Sequence, residues 1–372
     1  MKICVVTPLY AISGVPLAQL RFARALADKG HQVDLMIGRI GPQYEFPNMA
    51  AVNVIELNKR HVRGMLIPLW HYLRQARPDV VFSAEDHLNS MVLLAAITSG
   101  SKAKISCSSR VTPFDTYSNA PFTKRWVLKQ LMRMVMWRAD ALTCVSKDMV
   151  EQYGRVFNSP PHVYIYNIVD DKNSRLKMQE PVEHEWFREK DCPLLVAAGR
   201  LAHWKGFEDL IRSIKELLQR RRVRLLILGD GPLRHDLQAL IDELGLSQMV
   251  HLQGYVDNPL KYFAQADVFV LSSHVEGLPN VLVEAMMCGC TPVSTDCPTG
   301  PREVLQGGKY GYLVPMRDPV AMAMGIEKAL ARPISKELLV EAIRPFEESA
   351  VIARHFEVLG LEENLTLVGT EN

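Results

Sequence analysis

Residues 272–315 decide the fold, and they read SSHVEGLPNVLVEAMMCGCTPVSTDCPTGPREVLQGGKYGYLVP. The apolar run at 268–272 is typical of a buried strand, and the loop after it carries Glu276 at its mouth and leads into a helical pattern with Glu284. A second strand starts at Thr291. Loop amides and a helix N-terminus at the carboxyl end of a strand, beside two acids, favour a ligand that is both phosphorylated and rich in hydroxyls. A nucleotide sugar has both properties.

Strand and helix patterns alternate along the rest of the chain, which is typical of parallel sheets with right-handed crossovers. At 372 residues the chain is long enough for two domains. The predicted fold class is α/β, with two doubly wound, Rossmann-like domains facing each other across a cleft. The predicted division is a first domain at 1–171, a polar and irregular linker at 172–190, a second domain at 191–334, and a C-terminal helical segment at 335–360 that packs back toward the first domain.

The composition is that of a globular protein, with 48% apolar and 23% charged residues. No stretch approaches the ~18 consecutive apolar residues of a membrane-spanning helix, and the N-terminus does not have the pattern of a signal peptide. The seven cysteines lack zinc-ligand spacing and are predicted to be free thiols of a reducing cytoplasm.

Charge is divided unevenly along the chain. Residues 1–180 hold 23 Lys and Arg against 14 Asp and Glu, whereas the remainder holds 20 against 27. A basic first half is predicted to meet an anionic ligand or surface. Because the charge is split and no recognised motif is present, nucleic-acid binding is not expected.

Two short motifs open the second domain. Arg200 follows its first strand and Lys205 precedes its first helix, where two cations would neutralise a diphosphate. Gly229 begins the run GDGP, in which glycines allow the backbone to approach a ligand closely. Taken singly, such cations are also typical of solvated loops, and such glycines of ordinary strand-to-helix turns.

In combination, five ordered motifs resemble the retaining glycosyltransferases of family 4, which have the two-domain GT-B fold. They are GRLAHWKG (199–206), GDGPLR (229–234), EGLPNVLVEAMMCGC (276–290), TDCPTGPREVL (295–305) and GYLVP (311–315). These motifs cover most of the second domain, whereas the first domain agrees more loosely, through its opening strand and the runs 25–35 and 139–146. The resemblance implies transfer of a sugar from a nucleotide-diphosphate donor with retention, giving an alpha linkage.

The resemblance also implies roles for individual residues. Arg200 and Lys205 would hold the diphosphate and stabilise the charge of the leaving group. Together with Glu276, which would face the transferred sugar, they are the predicted catalytic residues. Glu284 would hold the ribose hydroxyls. The other predicted donor-binding residues are Gly14, Gly229, Gly277, Leu278, Pro279 and Asn280.

Neither a metal nor a cofactor is expected. The chain contains no Asp-x-Asp. Arg, Lys and helix dipoles would supply the positive charge that a departing nucleoside diphosphate needs.

Two departures from the family pattern concern the first domain. The glycine pair common in the family's first loop is reduced here to Ser13-Gly14, so the phosphate contact of that loop rests on Gly14. Many members carry a His where this chain has Arg110, which is therefore a candidate contact for the acceptor or a phosphate. His87 is a second candidate, although a lone His is more often structural.

The run TKRWVLKQLMRMVMWR (123–138) has the pattern of a basic amphipathic helix. One interpretation is that it lies on an anionic bilayer. The other is that it is an ordinary helix of the first domain, whose apolar stripe packs on the sheet.

The sequence therefore predicts a cytoplasmic hexosyltransferase, peripheral at the inner face of the membrane. It would move a sugar from a UDP-sugar, or a GDP-sugar, to a glycan or lipid-linked glycan in the synthesis of cell-envelope polysaccharide, lipopolysaccharide or glycoprotein glycans. One alternative is a nucleotide-sugar 2-epimerase of the same architecture, which would convert the donor without an acceptor. Another is a non-catalytic nucleotide-sugar-binding protein, which the intact acids and cations at every motif position disfavour.

Overall fold

The computed structural model of the chain describes residues 1–11, 14–41 and 45–362. It divides into two compact units, which we call the N-terminal unit (Met1–Ile168 and the segment that begins at Glu348) and the central unit (Val169–Glu347). Each unit is built on one parallel sheet with helices. The predicted class of two doubly wound, Rossmann-like α/β domains is confirmed.

The N-terminal unit has a sheet of seven parallel strands in the order β3-β2-β1-β4-β5-β6-β7. The strands are β1 (Lys2–Thr7), β2 (Gln32–Ile37), β3 (Val52–Glu56), β4 (Val80–Ala84), β5 (Lys104–Ser109), β6 (Ala141–Cys144) and β7 (His162–Tyr164). The helices along this stretch are α1 (Gly14–Asp28), α2 (Leu66–Ala76), α3 (Asp86–Ser99), α4 (Pro113–Thr116), α5 (Lys124–Val135) and α6 (Lys147–Val156). The chain moves outward from β1 to β3 and then crosses to β4, so the topological switch point lies between β1 and β4.

The central unit has a sheet of six parallel strands in the order β10-β9-β8-β11-β12-β13. The strands are β8 (Leu194–Ala198), β9 (Arg224–Leu228), β10 (Val250–Gly254), β11 (Val268–Leu271), β12 (Thr291–Thr295) and β13 (Tyr312–Val314). The helices are α7 (Lys172–Lys177), α8 (Glu185–Arg188), α9 (Phe207–Leu218), α10 (Arg234–Glu243), α11 (Leu260–Phe263), α12 (Asn280–Met287), α13 (Pro301–Val304), α14 (Pro319–Ala331) and α15 (Lys336–Ile343). Here the switch point lies between β8 and β11.

The last described helix, α16 (Glu348–Leu359), completes the N-terminal unit. Its Ile352 and Phe356 are buried in a core shared with α1 and the sheet. In that core Phe22 of α1 packs edge to face on Phe82 of β4, with ring centroids 4.9 Å apart. Burying a side chain of this size stabilises a fold by about 1.5–3 kcal/mol, so α16 contributes substantially to a unit from which it is distant in sequence.

The sequence predicts one helical segment over 335–360, whereas the structure has two helices with a break between them. The break is a 3-10 turn at Arg344–Phe346 that contains Pro345, followed by Glu347 in an extended conformation. Proline has no N–H to donate and crowds the preceding turn, which explains why the helix does not continue. The chain passes from the central to the N-terminal unit at this break.

The segment predicted as an irregular linker, 172–190, contains α7 and α8 and groups with the central unit, which begins at Val169. Trp186 is only 7% exposed, and its ring lies 5.3 Å from the Arg224 guanidinium. Packing of this buried indole onto the unit accounts for order in a segment whose overall composition is polar. Among the helices of the described ranges, none combines the length and the apolar character that a membrane span requires.

Candidate functional site

The candidate site of the central unit lies at its switch point, beyond the carboxyl ends of β8 and β11. The loop after β8 carries Arg200 and Lys205, and the loop after β11 carries Glu276. The two strands pair directly, with Leu195 opposite Val268, so the loops that follow them are neighbours. Strand order therefore brings the three predicted catalytic residues to one edge of one sheet.

Lys205 and Glu276 form an ion pair at the centre of this site. The Lys205 Nζ lies 2.6 Å from the Glu276 Oε1, and the side chains are 18% and 11% exposed. The Ser273 hydroxyl donates to the same Oε1 at 2.6 Å. Because both charges are largely removed from water, their attraction is stronger than that of a surface pair, and removing one leaves the other uncompensated.

Gly206 allows Lys205 to take this position. Its backbone is left-handed (φ +62°), and a Cβ added there would lie 2.1 Å from the Ser272 carbonyl oxygen. The Ser272 hydroxyl in turn donates to the Lys205 carbonyl oxygen at 2.8 Å. The His274 N–H donates to the Trp204 carbonyl oxygen, also at 2.8 Å. Only glycine fits the conformation and the space that join the two loops.

Gly229 packs the loop after β9 against the loop after β8. A Cβ at Gly229 (φ +136°) would lie 1.9 Å from the Gly199 carbonyl oxygen. The Gly229 N–H donates to the Gly254 carbonyl oxygen at 2.7 Å, and the Leu201 N–H donates to the Asp230 carbonyl oxygen at 3.0 Å. Within the described structure Gly229 thus shapes the loop that presents Arg200, and its predicted contact with a donor stays a prediction.

The loop that begins at Glu276 is fixed by the turn after β12. The Glu276 N–H donates to the Pro298 carbonyl oxygen, and the Thr299 N–H and hydroxyl both donate to the Glu276 carbonyl oxygen, all at 3.0 Å. The N–H groups of Gly277 and Leu278 donate to none of the residues that the structure describes. Two backbone donors are therefore held in place and available beside the ion pair.

Helix α12 begins at Asn280, directly after Pro279. Leu282 and Met286 are buried on the sheet side, whereas Glu284 is half-buried on another face. The positive end of the helix dipole lies at Asn280, next to the two unengaged N–H groups. This arrangement favours an anion at the start of the helix.

Arg200 is the second cation of the site. Its side chain is exposed, and it forms no hydrogen bond or ion pair with the described residues. In contrast to Lys205, Arg200 can bind an anion without giving up an existing partner. Over the described ranges, no group of three or more His, Cys, Asp and Glu residues has the proximity that would hold a metal ion.

The candidates of the N-terminal unit lie at and beside the switch point of that unit's sheet. Gly14 is the first residue of α1, is exposed, and has open space where a Cβ would be. Ser13, its neighbour in the first loop, falls outside the described residues. His87 is exposed in the first turn of α3. Nothing in the geometry at Gly14 requires glycine.

Asp86, beside His87, is a buried residue that sequence patterns did not indicate. It accepts hydrogen bonds from the hydroxyls of Ser109 (2.9 Å), Tyr117 (2.8 Å) and Tyr153 (2.8 Å). Burial raises the pKa of Asp86, and the three hydroxyls oppose that effect. The network ties the start of α3 to β5, to the residue that follows α4 and to α6, which is a structural role.

Arg110 follows β5 and points toward the segment after β7. Its Nη1 donates to the Asn167 Oδ1, and burial lowers the pKa of Arg110 to about 10. The guanidinium is still a cation at neutral pH.

Two family models match the chain. The model described as Glycosyl transferases group 1 matches residues 179–345, and the model described as Glycosyltransferase Family 4 matches residues 12–173. The first of these ranges contains all five motifs of the second domain.

Two relatives agree with these models. The N-acetylgalactosamine-N,N'-diacetylbacillosaminyl-diphospho-undecaprenol 4-alpha-N-acetylgalactosaminyltransferase of Campylobacter jejuni is 32% identical over 254 residues, which are 68% of this chain and 67% of that protein. The uncharacterized glycosyltransferase MJ1059 of Methanocaldococcus jannaschii is 31% identical over 266 residues, 65% of this chain and 64% of that protein. The chain thus spans slightly less than two thirds of the archaeal relative.

A solved structure agrees in fold. The crystal structure of Anabaena Alr3699/HepE in complex with UDP aligns with a TM-score of 0.76 at 17% identity, over 97% of this chain and 100% of that one. At this identity the likeness shows the fold alone, which is the GT-B fold that the motifs predict.

Proposed function

Because the chain belongs to glycosyltransferase family 4, we propose that it transfers a sugar from a nucleotide-diphosphate sugar to a glycan or lipid-linked glycan, with retention and an alpha linkage. One observation carries the proposal. At a single switch point the central unit groups an exposed arginine, a shielded Lys205–Glu276 pair and two unengaged N–H groups. Cations and N–H donors suit a diphosphate, and a carboxylate suits the hydroxyls of a sugar.

The cations act on the leaving group. When the bond between the sugar and the diphosphate breaks, negative charge develops on the phosphate oxygens. The Arg200 guanidinium offers paired donors to such oxygens, and the Lys205 ammonium offers the donors that Glu276 does not use. With the Gly277 and Leu278 N–H groups, these residues stabilise the developing charge in place, so the proposal needs no metal ion.

The acids hold the donor. The Glu276 Oε1 accepts from Lys205 and Ser273, while its Oε2 accepts no hydrogen bond from the described residues. Oε2 is thus available to a hydroxyl of the transferred sugar, and Glu284 in α12 is assigned to the ribose. Since Glu276 already neutralises Lys205, we assign the acids to donor binding and not to an acid/base couple.

UDP is the favoured nucleotide, with GDP as the alternative. The support is the fold shared with the UDP-bound Anabaena protein. A lipid-linked glycan is the favoured acceptor, because the Campylobacter relative is named for a diphospho-undecaprenol substrate. A role in the synthesis of cell-envelope polysaccharide, lipopolysaccharide or glycoprotein glycans follows, at the cytoplasmic face of the membrane.

Helix α5 supports peripheral association with that membrane. One face packs inward through Leu128, Met132 and Val135, which are buried. Outward, Met134 is 71% exposed and Trp137, just past the helix, 66% exposed. Further exposed residues of this segment are Phe122, Lys124, Arg125, Val127 and Arg133. Apolar side chains interleaved with cations suit an anionic bilayer.

A donor assay tests the reaction class. The purified protein is incubated with UDP-glucose, UDP-galactose or the corresponding N-acetylhexosamine donors, with and without a polyprenyl-diphosphate-linked saccharide. If the protein is a transferase, we expect a lengthened saccharide that forms only when acceptor is present. NMR should show that the new linkage is alpha. Conversion of the donor sugar without acceptor would indicate the 2-epimerase instead, and donor binding with neither product would indicate a non-catalytic protein.

A further inference from the structure

The N-terminal unit contains a small polar cavity that the proposed reaction does not yet use. It lies under α1 and α16, against β4 and β5, and it is lined by Gln19, Ser106, Arg110, Asn167 and His355 among others. It encloses about 20 Å³, which is room for one water-sized atom. We call it the Arg110 cavity.

Arg110 lines this cavity and forms no ion pair with a described residue. Its Nε is buried and has no hydrogen-bond partner among the described residues, while its Nη1 donates to the neutral amide of Asn167. Arg110 forms no ion pair with any residue that the structure describes. Burial raises the pKa of Glu85, and the nearby charge of Arg110 opposes that rise. The two side chains nevertheless form no ion pair within the described structure. Buried cations are normally bonded directly to an anion, and among the described residues Arg110 has no such bond.

His355 also lines this cavity, and it contains a second polar atom that is unpartnered among the described residues. The residue is 7% exposed, and its Nδ1 is buried without a hydrogen-bond partner. Its ring is held between Phe22 and Phe82, at centroid distances of 4.8 and 5.3 Å. Burial and the charge of Arg110 lower the pKa of His355 to about 3, so the ring is neutral at neutral pH. A neutral imidazole can donate one hydrogen bond to an anionic oxygen.

We propose that the Arg110 cavity binds an oxygen of an anionic group, a phosphate or carboxylate, carried by the acceptor. Arg110 Nε would donate to that oxygen, His355 would donate from Nδ1, and the rest of the group would stay at the mouth of the cavity. The space admits one oxygen but not a whole phosphate, which argues for a group attached to a larger molecule. This inference rests on the proposed function, because only a transferase has an acceptor to place.

Binding of phosphate esters to the whole chain tests the proposal. Inorganic phosphate, glycerol 3-phosphate and glycerol are titrated by calorimetry at constant ionic strength, with UDP-glucose present to occupy the central unit. The proteins are the wild type, Arg110→Gln, His355→Gln and Arg74→Gln, a matched control in which an exposed arginine of the same unit is changed. Because a charge-assisted hydrogen bond is lost, we expect Arg110→Gln to bind glycerol 3-phosphate about tenfold more weakly than the wild type. Arg74→Gln should bind it as the wild type does, and none of the proteins should bind glycerol.

Other results of these titrations would contradict the proposal. Equal binding by Arg110→Gln and the wild type, or no binding of either phosphate by the wild type, would overturn the proposal and leave a water-filled cavity. Binding of inorganic phosphate alone would make this a free-anion site and overturn its assignment to the acceptor. His355→Gln, which keeps the cation, gives a second measure if Arg110→Gln does not fold, and an unchanged affinity there counts against the site. UDP-glucose titrated alone reports separately on the proposed donor site.

Discussion

At the scale of single residues, Arg200 is the cation of the site that forms no hydrogen bond or ion pair with a described residue. Arg200→Gln is therefore expected to leave the melting temperature within about 1 °C of the wild type, since surface changes of this kind are nearly neutral. It should lower kcat/KM by about 10²–10³, as loss of one group that stabilises developing charge does. The matched control is Arg212→Gln, an exposed arginine on α9 of the same unit. A kcat/KM within twofold of the wild type would remove Arg200 from the site.

Gly206 can be compared with Gly245, whose backbone is also left-handed (φ +69°). A Cβ added at Gly245 would have nothing within 4 Å. Gly245→Ala should cost about 1 kcal/mol of unfolding free energy for the backbone conformation alone. Gly206→Ala should cost at least about 2 kcal/mol, because its methyl group also meets the Ser272 carbonyl. Urea unfolding of both variants measures the difference, and equal losses would show that the close approach is not needed.

The sequence predicted individual site residues better than it predicted the contacts between them. The motifs identified Lys205 and Glu276, but not the ion pair between them, because the residues are 71 positions apart and their meeting depends on strand order. Arg110 was indicated only as a departure from a family pattern. The cavity that it lines with His355 joins α1, the segment after β7 and α16, and no local sequence pattern indicates such a convergence.

At the scale of elements, α5 carries the prediction of membrane association. The wild type should co-sediment with vesicles of phosphatidylglycerol and phosphatidylcholine, and less so as salt rises, because exposed charges are screened. Replacing Phe122 and Trp137 together by Ser should lower the partition coefficient about tenfold or more, as apolar insertion is lost. Val320→Ser, at a 52% exposed position of the central unit, is the control. Equal sedimentation of all three proteins, or none at low salt, would refute the assignment.

Elements were predicted best where periodicity was strong and worst at their junctions. The seven strands of the N-terminal unit were all expected near their observed positions. The C-terminal segment was not expected to break at Pro345, where a single proline overrides an otherwise helical pattern. The segment at 172–190 was expected to be irregular, because one buried Trp186 adds little to an average dominated by charged residues.

At the scale of the molecule, two buried histidines predict how stability depends on pH. Burial lowers the pKa of His162 to about 4 and that of His355 to about 3, from an ordinary value of 6.5. At pH values between each lowered pKa and 6.5, the unfolded chain binds more protons than the folded chain. The contribution of the two neutral histidines to the free energy of unfolding is therefore fully present above pH 6.5. It is lost as pH falls toward 4, by about 1.4 kcal/mol per pH unit for each histidine.

Denaturant unfolding at pH 7.5, 6.0 and 5.0 measures this slope. His162→Phe, which keeps a ring against Tyr153, should lose less stability on acidification than the wild type. His61→Gln, at an exposed position, should follow the wild type. A wild-type slope that His162→Phe leaves unchanged would show that other groups account for the acid sensitivity.

Metal removal is a second test of the whole enzyme. If side chains and N–H groups stabilise the departing diphosphate, transfer should proceed at an unchanged rate after dialysis against EDTA and in its presence. A rate that falls at least tenfold with EDTA and is restored by Mg²⁺ or Mn²⁺ would contradict the proposed role of Arg200 and Lys205.

The overall architecture was accessible from sequence because two sets of alternating strands and helices admit few parallel topologies. The motif order then predicted which sheet edge would bind the donor. The sugar, the nucleotide base and the acceptor were not accessible, since side chains from elements distant in sequence select them.

The central claim is that a nucleotide-diphosphate sugar binds where Arg200, Lys205 and the Gly277–Leu278 N–H groups meet. Calorimetric titration of UDP-glucose, with GDP-mannose in parallel, into the wild type and Arg200→Gln tests it most directly. We predict that one of the two donors binds the wild type and that Arg200→Gln binds it at least tenfold more weakly, as expected for a charge-assisted contact to phosphate. Equal affinity in both proteins, or no binding of either donor by the wild type, would contradict it.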